Sequence, residues 1–149
     1  MLFRSSYSTD WGKTIGNGST WRTLSNDEWV YLFKTRTNAS SLYKYGVTVC
    51  GKTNCVVIAP DGFTGTIETS YDATAWAIAE AAGLVCLPAA GRRYGPNVSY
   101  VGGSGHYWSS TARDSNYAYL VSFSSSAVSP GSYGLRNFGF SVRLITESN

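Results

Sequence analysis

The sequence predicts a mixed α+β domain with two short helices and many short strands. Three observations point there. A chain of 149 residues suits one domain with one core. Hydrophobic residues make up 43% and charged residues 14%, which is enough apolar material to fold rather than stay disordered. Aromatics reach 15% and Gly 16 residues, while Lys and Glu are sparse, a balance that favours turns and strands over a helical bundle.

The elements follow in order. "GSTWRTLSNDEWVYLFKTRTN" reads as a strand end and then a helix. Ser25 and Glu28 have the spacing of a capping box, in which each side chain satisfies an orphan backbone N–H of the other. Asp27 and Glu28 suit the positive start of a helix. Trp29, Leu32 and Phe33 share one face at helical spacing, as core residues do. Residues 46–59, "GVTVCGKTNCVVIA", read as a hairpin bent at "GKTN". "PDGFTG" is a turn. "SYDATAWAIAEAAG" reads as a second helix, capped by Ser70 or Asp72, stopped by Gly83, with Trp76 and Ala79 inward. "LVCLPAA" has the unbroken apolar character of a buried strand, and "GRRYGPNVSYVGGSG" reads as loop.

The last third alternates. In "YAYLVSF", Tyr119, Val121 and Phe123 fall on one face, and Leu120, Ser122 and Ser124 on the other. In "FGFSVRL", Phe138, Phe140, Val142 and Leu144 oppose Gly139, Ser141 and Arg143. The apolar sets are expected inside and the small polar sets in water. No internal repeat or linker interrupts residues 1–149, so one domain is expected.

Charge and motif content narrow the function. The formal net charge is +3 and the basic residues form no run, so no nucleic-acid partner is expected. Arg92-Arg93 reads as a solvated loop doublet. No apolar run is long enough to cross a bilayer, so no membrane insertion is expected. The start, Met1-Leu2-Phe3-Arg4, lacks the apolar centre of a secretory signal. An extracellular or virion-surface location then requires another export route, a virus particle, or a longer parent chain.

Three cysteines are present. Cys50 and Cys55 flank "GKTN" with facing thiols, and a disulfide forms there if the compartment is oxidising. Cys86 reads as a small buried apolar residue. His106 is the only histidine, in a Gly-rich segment expected to be a surface loop. No phosphate-binding glycine loop, metal triad or distinguished carboxylate pair is found, Asp10 and Glu147 being among the scattered carboxylates. Neither an enzyme nor a cofactor is expected.

Four motifs occur in order: "WRTLSNDEWVYLF" (21–33), "LPAAG" (87–91), "YWSST" (107–111) and "GFSVRL" (139–144). From about Thr9 onward the chain resembles C-type lectin-like domains of the formylglycine-generating type. It is similar in particular to variable proteins of diversity-generating retroelements from bacteria, phages and archaeal viruses. The resemblance implies an α+β C-type lectin-like fold, two helices with small twisted antiparallel sheets. It also implies a binding protein whose C-terminal cassette, here about 106–143, is rewritten by adenine-directed mutagenesis. On that basis the ligand-binding positions are His106, Arg113, Asp114, Ser115, Asn116, Tyr117, Leu120, Ser122, Ser124, Ala127, Ser129, Tyr133, Leu135, Asn137 and Phe138. Trp108, Tyr119, Val121, Phe123, Val128, Gly139, Phe140 and Val142 match the fixed frame. Tyr gives stiff contact area and Ser, Gly and Asn adapt their hydrogen bonds, the mixture antibody paratopes use. The implied partner is a protein or glycan receptor on another cell or particle. The alternative is an undiversified surface or pilus-associated domain of the same fold. The chain departs from the wider family in chemistry: no cysteine follows Cys86, the histidines of iron-dependent relatives are missing, and "GPNV" lacks the acidic partner of a calcium motif.

Overall fold

A computed structural model describes residues 21–146. The start of the resemblance at Thr9, together with Asp10 and Glu147, lies outside the described residues. Strand β1 (Trp21–Thr23) pairs antiparallel with β12 (Leu144–Thr146), Trp21 opposite Thr146. The capping box then starts helix α1 (Asn26–Val30). Ser25 Oγ accepts from the Glu28 N–H at 3.2 Å, and Glu28 Oε2 accepts from the Ser25 N–H at 2.8 Å. The Arg22 guanidinium donates to both Glu28 carboxylate oxygens at 2.7 and 2.6 Å. That pair holds the Glu28 carboxyl down to about 2, helped by the Ser25 N–H.

The helix runs on into a π-helical turn (Tyr31–Thr35), so Trp29 and Phe33 are buried together and Leu32 packs beside them. Arg36 follows, with a side chain only 1% exposed. Each of its three nitrogens donates: to the Leu32 carbonyl at 2.8 Å, Ala59 at 2.8 Å, Leu42 at 2.9 Å and the Asp61 carboxylate at 3.1 Å. A buried guanidinium is tolerated when it is satisfied in this way.

Strands β2 (Tyr43–Val49) and β3 (Lys52–Ile58) form the expected hairpin, but it turns elsewhere. Val49 faces Lys52, and the two turn residues are Cys50 and Gly51, at φ 50° and 79°. Both are left-handed, the geometry of a tight hairpin turn. "KTN" is therefore strand, and the expected Cys50–Cys55 bridge is corrected. Cys50 is exposed in the turn, whereas Cys55 is buried opposite Val47, and both thiols are free.

β4 (Ser70–Tyr71) and β5 (Val85–Leu87) complete a sheet of order β4-β2-β3-β5, in which only β2–β4 is parallel. Helix α2 (Ala73–Ala81) is capped by Asp72, whose Oδ1 accepts from the Ala75 N–H at 2.8 Å. Gly83, at φ 92°, lets the chain turn out of it. Ala79 is buried and Trp76 half-buried against Tyr71. Both faces of β3 are covered. Cys55 and Val57 join one core with Val47, Tyr71 and Leu84, while Val56 and Ile58 join another with Trp29, Phe33, Tyr107, Val121 and Phe123.

The segment expected as loop forms a hairpin, β6 (Arg92–Tyr94) and β7 (Asn97–Ser99), around Gly95-Pro96. β11 (Phe138–Gly139) adds to its other edge. The last sheet is a meander of β8 (Ser104–Ala112), β9 (Tyr117–Ser124) and β10 (Val128–Leu135). The architecture is α+β, with two helices and several small, almost wholly antiparallel sheets. Among the described residues no helix is long and apolar enough to cross a membrane.

Candidate ligand-binding face

The β8–β9–β10 sheet has one face on the core. Tyr107, Val121 and Phe123 are buried there, and Tyr107 pairs with Val121. Gly105, opposite Phe123, makes room for that ring: a Cβ on it would lie 2.1 Å from the Phe123 ring tip. The other face carries His106 opposite Ser122 and Trp108 opposite Leu120.

This outer face is not simply open to water. The chain after β11 folds back along β8, where the Ser141 N–H donates to the His106 carbonyl and the Trp108 N–H to the Ser141 carbonyl, at 2.9 and 3.0 Å. Phe140 is thereby laid over the sheet. Its ring centroid is 4.4 Å from Trp108 and 5.1 Å from His106. Leu120 is therefore a correction: alternation puts it on the solvent side, but it is 3% exposed under that lid. Gly134 shows how tight the lid is, since a Cβ there would lie 2.9 Å from Phe140 and 3.1 Å from Leu120. Val142 is a correction in the other direction. The expected strand 138–144 stops at Gly139, the backbone leaves the pleat, and Val142 is 52% exposed. Trp108, Tyr119, Val128, Phe138 and Phe140 are half-buried.

The other candidate positions divide along the sheet. Arg113, Asp114, Ser115 and Asn116 are exposed in the β8–β9 turn. Asp114 Oδ1 accepts from the Asn116 and Tyr117 N–H groups at 2.8 and 2.9 Å, which fixes that turn and holds its carboxyl below the usual range. The Arg113 guanidinium lies 3.7 Å from the exposed Tyr133 ring centroid and 5.6 Å from the half-buried Tyr117, and the two rings meet edge to face. Leu135 and Asn137 are exposed at the same end. At the far end, roughly 20 Å away by strand rise, Ala127 and Ser129 are exposed and Ser124 half-buried. Ser122, half-buried between the ends, has its hydroxyl 3.3 Å from that of Ser132.

His106 is not on a loop. It sits within β8, half-buried, with its ring stacked on Phe140 and Nδ1 buried without a partner. Burial, then the positive charge of Arg92, lowers its pKa.

Sequence reasoning missed the flank of this face. Arg92 lies on a strand and not in a solvated loop. It lies half-buried with its guanidinium 4.9 Å from the Tyr100 ring and 5.2 Å from Phe138. Tyr94 stacks on Phe138 at 4.8 Å, and Phe138 on Phe140 at 5.5 Å. Tyr94 and Tyr100 are 53% and 58% exposed, so a run of rings leads from the sheet out to solvent. The Gly95-Pro96 pair at the centre of "RRYGPNVS" was the available signal for that hairpin. Among the described residues no group of three or more His, Cys, Asp or Glu side chains is placed to hold a metal.

Residues 9–145 match the family described as a domain of unknown function, DUF8237. No curated protein and no solved structure matches the chain.

Proposed function

The chain belongs to the DUF8237 family, and we propose that it is a receptor-recognition module, a C-type lectin-like scaffold displaying a diversified surface written by a retroelement over residues 106–143. It binds rather than catalyses, and it works at the surface of a cell or virion. One observation carries the reading: the buried side chains lie on β8 and β9, and the exposed candidates lie on the adjoining turns and on β10. Val121, Phe123 and Tyr107 are buried. Arg113, Asp114, Ser115, Asn116, Ala127, Ser129, Tyr133, Leu135 and Asn137 stand in solvent on backbone that those residues anchor. Such positions exchange without unfolding the domain, which a replaceable surface requires. The Tyr, Ser and Asn content suits adaptable recognition. His106 supports binding over catalysis, because its ring is stacked on Phe140 and its Nδ1 is buried without a partner. Leu120 belongs to the scaffold under this reading.

Charge narrows the partner. Arg92, Arg93 and Arg113 border the face, and Asp114 is the one carboxylate among the candidate positions. An acidic protein or glycan receptor complements that field.

The test is a set of sibling genes from one population. Differences should concentrate at the exposed candidates, opposite template adenines of a near-identical repeat beside a reverse-transcriptase gene. Val121, Phe123, Trp108 and Phe140 should stay constant. Substitutions spread evenly over the chain would remove the diversified surface and leave a fixed surface domain.

A further inference from the structure

Cys55 and Cys86 lie side by side in the sheet that the binding face does not use. Cys86 on β5 is opposite Val57 on β3, so Cys55, two residues back on β3, is its diagonal neighbour on the same face. Both pack into one core cluster, Cys55 buried and Cys86 half-buried. Their side chains are neighbours in that cluster, and the Cys55 S–H donates to the Lys52 carbonyl at 3.3 Å. Cys50, the cysteine closer to Cys55 in sequence, is instead exposed in the hairpin turn.

We infer that Cys55 and Cys86 are an oxidisable pair, joined as a disulfide by a small-molecule disulfide such as oxidised glutathione. Cys86 is the point of entry. It lines a recess of about 410 Å³ together with Trp76, Glu80, Pro88 and Arg143, whereas Cys55 is fully enclosed. Arg143 favours the carboxylates of glutathione, and Glu80 opposes them.

The contact also supplies the proton chemistry. Cys86 beside it lowers the pKa of the Cys55 thiol, and the same neighbour together with burial raises that of Cys86. The Cys55 thiolate takes the Cys86 proton as Cys86 attacks one sulfur of oxidised glutathione, forming a mixed disulfide and expelling one glutathione thiolate. Cys55 then passes that proton to the expelled glutathione thiolate and attacks the Cys86 sulfur, expelling the second thiolate. Two electrons pass from the cysteine pair to oxidised glutathione, and two molecules of reduced glutathione result. A diagonal pair lies at the edge of disulfide reach, so closing the bond draws β5 toward β3. β5 ends at Leu87, leaving Pro88 outside the ladder to absorb a shift.

The experiment uses the full chain, reduced and then equilibrated with oxidised glutathione at pH 7.5. Remaining thiols are alkylated, and the protein is digested without reductant and mapped by mass spectrometry. The expected product is a linked Cys55–Cys86 peptide pair two hydrogens lighter than the free peptides, with Cys50 alkylated or glutathionylated. The melting temperature should rise by about 5–10 °C on oxidation and fall back with dithiothreitol. Cys50→Ala should keep both results, and Cys86→Ala should lose both. A Cys50–Cys55 link, a Cys86–glutathione adduct that never resolves, or complete alkylation of Cys55 and Cys86 would each overturn the inference. The wild-type map decides the matter by itself, so a variant that fails to fold does not blunt the test, and no outcome depends on what the β8–β10 face binds.

Discussion

Phe140 and Trp108 meet with ring centroids 4.4 Å apart on the side of the β8–β9–β10 sheet that alternation assigns to water. The contact turns half of that face into a second, thin hydrophobic layer, with Leu120 beneath it.

Removing the lid should therefore cost stability. Phe140→Ala is expected to destabilise by about 2–4 kcal/mol in urea titration. Trp108→Ala should fall in the same range, below the cost of a fully buried indole, because its ring is only half-buried. Gly134→Ala should cost about 1–2 kcal/mol, since its new methyl must push Phe140 aside.

Gly105→Ala should be worse than Gly134→Ala. The added carbon would lie 2.1 Å from the tip of the Phe123 ring, deep in the core and opposite it in register. A loss of about 3 kcal/mol or more, or failure to fold, is expected in thermal melts. An unchanged melting temperature would contradict the placement of Phe123.

The Arg22–Glu28–Ser25 cluster predicts an acid-dependent stability. The folded Glu28 carboxyl is held down to about 2 against an ordinary value of 4.5, so its contribution is present above about pH 4.5 and is lost as pH falls from there through 2. Glu28→Gln should cost about 1 kcal/mol at pH 7, the figure being modest because the pair is partly exposed. The difference from wild type should shrink steadily in urea midpoints taken from pH 5 to 2.5.

The displayed positions should tolerate exchange where the lid does not. Ser115→Tyr, Ser129→Tyr and Asn137→Ser should each stay within about 0.5 kcal/mol of wild type. Tyr133→Ser should lose about 0.5–1 kcal/mol from its contact with Arg113. Leu120→Ser, from the same set of sequence candidates, should lose about 2–4 kcal/mol. Equal tolerance at Leu120 would undo its reassignment to the scaffold.

Local rules were legible in the sequence. Ser25 and Glu28 form the capping box their spacing announces, and Asp72 and Gly83 bound the second helix where composition puts them. Val121 and Phe123 are inside, as period-two alternation requires. What failed depended on contacts distant in sequence. Alternation says which side of a strand a residue takes, not whether another segment covers that side, so Leu120 was misplaced. The Cys50-Gly51 turn was missed because "GKTN" has the commoner turn composition, while the left-handed φ at Cys50 is exceptional for a non-glycine residue. Arg92 was read as solvated because its partners, Tyr100 and Phe138, come from separate strands or loops.

Trp21 and Thr146 form the outermost rung of the β1–β12 ladder, so the described chain comes in and goes out through one doorway. Force carried by either flanking segment therefore enters the described residues at that one rung. Drawing the two ends apart would unzip that ladder one rung at a time, a soft mechanical failure confined to the hinge that leaves the displayed surface intact.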